Sequence, residues 1–135
     1  MIYDTNALSG WGDKFPSVEA ITADAAEVVL PVVVLGEYEC GLKHSKKRAK
    51  LEQWLKDILP DCRIHPITRE TGKYYSQICH QLRVSGYGIE QNDIWVAACA
   101  FELRMPVLSN DKGFDRISGL TRVGFDDPRQ ARRAF

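Results

Sequence analysis

Short apolar runs alternate with amphipathic stretches along this chain, and that alternation constrains the fold more than any other feature. The runs are Ile2-Tyr3, Glu27-Val28-Val29-Leu30-Pro31, Arg63-Ile64-His65-Pro66-Ile67, Pro106-Val107-Leu108-Ser109 and Thr121-Arg122-Val123. They are short and rich in β-branched residues, which reads as strand. Between them the apolar residues recur at helical spacing. From Val32 onward, Val33, Val34, Tyr38 and Leu42 share a face. A helix over residues 46–59 stripes Leu51, Trp54, Leu55 and Ile58. Thr68 caps a long helix whose buried side is Tyr75, Ile78, Cys79 and Leu82, broken at Gly86-Tyr87-Gly88. Residues 93–103 are small and apolar almost throughout, which predicts a centrally buried helix. Residues 7–17, with Gly10, Gly12 and Pro16, read as a helical turn and a loop, with Ser17 capping the next helix, and residues 110–117 as a turn and short helix. Strands alternating with helices predict an α/β fold: a three-layer α/β/α sandwich with a central, mostly parallel sheet, as one domain over residues 1–135.

Eighteen basic residues balance eighteen acidic ones, so nucleic-acid contact would have to come from local patches rather than net charge. No apolar run reaches membrane-spanning length, and Asp4 and Asn6 interrupt the N-terminus where a signal peptide would be apolar. Cys40, Cys62, Cys79 and Cys99 are widely spaced with no CxxC, and are expected to be buried free thiols in a reducing cytoplasm.

Four acids have related settings. Asp4 and Asp111 each follow a strand, Asp93 lies in the first turn of a helix, and Glu37 lies on a helix among apolar residues. In a parallel sheet the carboxyl ends of strands and the amino ends of the following helices share one edge, where ligands bind. Asp4, Asp93 and Asp111 can meet there, with Glu37 reaching in. Clustered carboxylates repel, and a divalent cation relieves the conflict. An all-oxygen donor set favours Mg²⁺ or Mn²⁺ over Zn²⁺. Thr5, Asn6 and Ser109 would supply hydrogen bonds to ligands, water or phosphate.

Each acid also has an ordinary explanation. Asp4 fits a helix cap as well as it fits a functional role. Asp93 beside Asn92 fits a helix start, Glu37 a solvated helix face, and Asp111 a turn. Glu39, two residues from Glu37, faces nearly the opposite way. Only the joint placement argues for chemistry.

The chain resembles the PIN-domain ribonucleases, and within them the VapC-type toxins of prokaryotic toxin–antitoxin pairs. The resemblance rests on Asp4-Thr5-Asn6-Ala7-Leu8-Ser9, Gly36-Glu37-Tyr38-Glu39-Cys40-Gly41, Asn92-Asp93-Ile94-Trp95-Val96-Ala97-Ala98, and Val107-Leu108-Ser109-Asn110-Asp111-Lys112-Gly113-Phe114-Asp115 with Ile117-Ser118-Gly119-Leu120. It implies a metal-dependent endoribonuclease that cuts structured RNA, often transfer or ribosomal RNA. Asp4 and Asp93 would be the principal metal ligands. Glu37 would bind metal or position water, and Asp111 would complete the site, at the first cation or at a second. A homodimer and a cognate antitoxin that blocks the acidic groove are the implied partners. The chain departs from the family where many relatives carry an acid and it has Gly113; Asp115 is the nearby residue that would have to compensate.

The basic run at Lys43, Lys46, Lys47 and Arg48 is either a solvated helix face or an RNA contact. Trp11 would stack on a base or pack on a partner, and the tail over residues 126–135, with Arg129, Arg132 and Arg133, would fray or meet a partner. His44, His65 and His80 are assigned no catalytic part. Two other functions compete: a PIN-like RNA-binding or scaffold protein without turnover, and a phosphohydrolase with Asp4 as nucleophile. Asn6 counts against the second, since such enzymes want a second aspartate there.

Overall fold

The computed structural model describes residues 1–129, so Arg132 and Arg133 lie outside the described residues. Five short strands form one sheet: β1 (Ile2–Tyr3), β2 (Val29–Pro31), β3 (Arg63–His65), β4 (Val107–Leu108) and β5 (Arg122–Val123). Their order is β3-β2-β1-β4-β5, and every pairing is parallel. Among the described residues six α-helices flank the sheet: α1 (Thr5–Gly12), α2 (Pro16–Asp24), α3 (Val32–Leu42), α4 (Arg48–Ile58), α5 (Arg69–Ser85) and α6 (Gln91–Leu103). The result is the three-layer α/β/α arrangement expected from the alternation.

β1 has only two residues, yet it is the middle strand and both are fully buried. Its backbone is held on each side: Ile2 N donates to Pro106 O at 2.9 Å, Asp4 N to Leu108 O at 3.1 Å, and Val29 N to Met1 O at 3.0 Å. The chain winds outward from β1 through β2 and β3, then returns to add β4 and β5 on the other side. That reversal puts the switch point of the sheet between β1 and β4, where the two following loops diverge and leave a crevice.

α6 meets its expectation. Ile94, Val96, Ala97, Ala98, Cys99 and Ala100 are all buried, and the helix packs on β1, β4, α3 and α5. Small side chains let it lie close to its neighbours. α5 carries the predicted Thr68 cap, reciprocated by Thr71, and stops at Gly86, whose φ of +75° suits a residue without Cβ.

The reading of residues 7–17 needs correction. They begin inside α1, and the glycines taken as loop formers are close-approach positions. A Cβ on Gly12 would lie 2.8 Å from the Tyr38 hydroxyl and 3.1 Å from Trp54, and one on Gly10 would lie 2.9 Å from the Phe15 ring. Ser17 is not the cap of α2; Phe15 is at that position, Pro16 starts the helix, and the Ser17 hydroxyl donates to Asp126 O at 2.7 Å. Trp11 is half-buried and edge-on to both Tyr3 (5.9 Å between centroids) and Trp54 (5.3 Å), so its ring packs within this chain. Of the cysteines only Cys99 is fully buried; Cys62 and Cys79 are half-buried, Cys40 is exposed, and all four are free thiols.

Candidate active site

Asp4 occupies the residue before α1 but its side chain makes no capping bond. The helix-cap reading therefore has no hydrogen bond behind it. The carboxylate turns across the crevice, where Ser109 Oγ donates to Oδ2 at 2.8 Å and Asn6 Nδ2 at 3.2 Å. Asn6 also donates to Ser109 Oγ at 3.1 Å and accepts from Asn110 N at 3.1 Å. Ser109 Oγ in turn accepts from Asp111 N at 3.0 Å. The ends of β1 and β4 are thus tied together by one hydrogen-bonded network. Asp4 is 5% exposed, and burial pushes its carboxyl above the ordinary range; Ser109 opposes that shift, while the charges of Glu37 and Asp111 add to it.

Glu37 projects from α3 and is gripped by two neutral donors. Thr5 Oγ1 donates to Oε2 at 2.8 Å, and Asn92 Nδ2 to Oε1 at 2.5 Å. Thr5 opens α1 and Asn92 is the second residue of α6, so Glu37 joins three helices. Glu39 faces elsewhere, into a small cavity with Lys43 and Glu52.

Asp93, in the first turn of α6, and Asp111, at the end of β4, line one open cavity of about 590 Å³ with Glu90, Gly113 and Arg116. Burial, then the charges of Asp4 and Asp111, then a hydrogen bond with the Asp111 carboxyl and the charge of Glu90, push the Asp93 carboxyl up to about 7. Asp111 also serves the turn that its sequence suggested, accepting from Gly113 N at 2.8 Å. The two readings of Asp111 are compatible, since one carboxylate has several acceptor positions.

Asp115 does not join this group. Arg122 grips it bidentately, Nε to Oδ1 at 2.9 Å and Nη2 to Oδ2 at 3.0 Å, while Nη1 donates to Ser109 O at 3.1 Å. Both of its oxygens accept from Arg122, which is thereby fixed against the β4 end. Glu90 is the residue that sequence reading missed. It precedes α6 as an extended residue, and its only signal was its place three residues before Asp93.

The basic run divides. Lys46 and Lys47 line a cavity of about 470 Å³ that also has Thr5 and Glu37 in its wall. Arg48 is committed to Glu52 at 2.8 Å, and Lys43 lies at the Glu39 cavity instead.

Among the described residues no three His, Cys, Asp or Glu side chains enclose an ion by themselves. The donors at the crevice are nevertheless hard oxygens facing an open space. A small divalent cation commonly takes one or two carboxylates and fills the rest of its shell with water and phosphate oxygens. The residues fit that kind of ion.

A family model described as PIN domain matches residues 1–120. Ribonuclease VapC2 of Rickettsia felis is 26% identical over 133 residues, which cover 93% of this chain and 99% of that protein. Ribonuclease VapC5 of Mycobacterium tuberculosis is 26% identical over 107 residues, 78% of each chain. Among solved structures, VapBC2 from Rickettsia felis, bound to a DNA fragment from their promoter, superposes with a TM-score of 0.81 at 25% identity, covering 93% of this chain and 100% of that one. FitAcB from Neisseria gonorrhoeae gives 0.77 at 25% identity, covering 90% and 94%. With the family model spanning all five strands except β5 and all six helices, this chain belongs to the PIN domain family.

Proposed function

We propose that this chain is a divalent-metal-dependent endoribonuclease and the toxin of a type II toxin–antitoxin pair, acting on structured RNA such as transfer or ribosomal RNA. The observation that carries the reading is the meeting of Asp4, Asp93 and Asp111, from three separate elements, at the switch point of the sheet. The relatives named ribonuclease VapC and the VapBC structure support the RNA substrate and the antitoxin partner.

Asp4 and Asp93 are the residues that would hold Mg²⁺ or Mn²⁺, with Asp111 beside them. Bound there, the ion supplies an acidified water and neutralises charge on the phosphodiester. Glu37, its position set by Thr5 and Asn92, orients the attacking water with a carboxylate oxygen. Asn6 and Ser109 keep the Asp4 carboxylate in place. Lys46 and Lys47 draw the phosphate backbone toward Glu37. No side-chain nucleophile takes part, so there is no covalent intermediate.

The test is cleavage of cellular RNA with mapped ends, using the wild type, Asp4→Asn and Asp93→Asn, in Mg²⁺, Mn²⁺ and EDTA. Loss of cleavage in both variants and in EDTA is the expected result. Full activity in either variant or in EDTA overturns it. Gly113 favours a second reading, an RNA-binding protein without turnover, which predicts saturable RNA binding and no products at any metal concentration. A homodimer and a cytoplasmic location accompany the first reading; among the described residues no helix is long and apolar enough to cross a membrane.

A further inference from the structure

The rim of the Asp93–Asp111 cavity carries an exposed aromatic ring and a guanidinium that the roles above leave unused. Tyr87 follows the left-handed Gly86 that ends α5, and it is 53% exposed. Arg116 lies over its ring, 5.2 Å from the centroid, and also lines the cavity with Asp93 and Asp111. The arrangement is built rather than incidental. Arg116 Nη1 donates to Gly88 O at 3.1 Å, its own carbonyl accepts from Gln81 Nε2 at 3.1 Å, and Gln81 Oε1 accepts from Ser118 N at 3.1 Å. Arg116 is therefore anchored by neutral groups, and its charge stands unspent at the edge of an acidic cavity.

A single exposed aromatic ring needs no explanation by itself, but this one is held against a guanidinium that lines an acidic cavity. A guanidinium packed on that ring pre-organises a flat, cationic platform at low entropic cost. An unpaired nucleobase stacks on such a surface, and its phosphate meets the adjoining charge. We infer that Tyr87 and Arg116 form a nucleotide subsite, in which Tyr87 stacks on an unpaired base next to the scissile phosphate and Arg116 contacts that nucleotide's phosphate. The inference rests on the ribonuclease reading and adds to it a requirement that the RNA be unpaired beside the cut.

The experiment compares two probes of equal length, about ten nucleotides: a fluorescein-labelled oligoadenylate and the matching abasic ribose–phosphate chain. Affinities are read by anisotropy in Ca²⁺, with products checked on a gel, for the wild type, Tyr87→Ala, Tyr87→Phe and Arg116→Gln. The wild type should prefer oligoadenylate by roughly tenfold. Tyr87→Ala should erase that preference, Tyr87→Phe should keep it, and Arg116→Gln should weaken both probes while lowering the salt dependence. Thermal melting of each variant checks that the fold is intact. An unchanged base preference in folded Tyr87→Ala overturns the subsite, while cleavage of cellular RNA by the wild type in Mg²⁺ leaves the ribonuclease reading standing. If the wild type neither binds nor cuts RNA, both fall. If Tyr87→Ala instead loses only antitoxin binding, the platform belongs to a protein contact and the subsite is overturned.

Discussion

Ser109 donates its hydroxyl hydrogen to Asp4 at 2.8 Å, joining residues 105 positions apart in the chain. The same oxygen accepts from Asn6 and from the Asp111 backbone. One small side chain thereby sets the distance between the first acid and the last.

Ser109→Ala removes a donor from a buried carboxylate and an acceptor from two amides at once. A cost of about 1–3 kcal/mol is expected, because the partners stay buried without their bonds. RNA cleavage should fall roughly 10–100-fold, the usual effect of losing a group that orients a metal ligand. Chemical denaturation and initial cleavage rates measure the two effects separately.

Asp93→Asn should split activity from stability. Cleavage should drop about a thousandfold, as several kcal/mol of transition-state stabilisation disappear. Without metal, the variant should melt higher than the wild type above pH 7, because it removes a carboxylate crowded by Asp4, Asp111 and Glu90. Adding Mn²⁺ should raise the melting temperature of the wild type and leave the variant unmoved.

Asp115→Ala tests the reassignment of that residue. Its carboxylate is bound to Arg122, and such a solvent-screened pair contributes little to stability. Mn²⁺ affinity by calorimetry should match the wild type. A marked loss of affinity would return Asp115 to the metal site.

A buried network away from the acids gives a pH prediction. His65 Nε2 and Thr71 Oγ1 both lie 2.7 Å from Glu102 Oε1. Burial pushes the Glu102 carboxyl upward, but the bonds from Thr71 and His65, with the charges of His65 and Arg63, outweigh it and leave it below the ordinary 4.5. A carboxyl lowered by folding contributes stability that is present above pH 4.5 and lost as pH falls through the lower folded value. Melting temperature should drop in that acid range for the wild type, and the slope should flatten in Glu102→Gln. Cys99, which also faces this carboxyl and whose thiol burial pushes up to about 12, stays neutral across that window.

The sheet, five of the six helices and the shared edge of the acids were legible because each leaves a local trace: a β-branched run, a 3.6-residue period, an acid at a strand end. The contacts that give those acids their geometry leave none. Thr5 and Asn92 reach Glu37 from helices distant in sequence, and Arg122 claims Asp115 from β5. Gly10 and Gly12 misled for the same reason. Composition makes a glycine pair look like a loop, while the rings of Tyr38 and Trp54 that crowd Gly12 lie elsewhere in the chain.

The central position of β1 has a consequence for the order of folding. β1 meets β2 across a short span of chain, Ile2 against Val29, but meets β4 only across a much longer one, Ile2 against Val107. Closing the shorter span costs less chain entropy, so the β1–β2 edge is expected to form before the β1–β4 edge. Asp4 therefore gains its Ser109 partner late, and the crevice at the switch point is among the last features of the sheet to assemble.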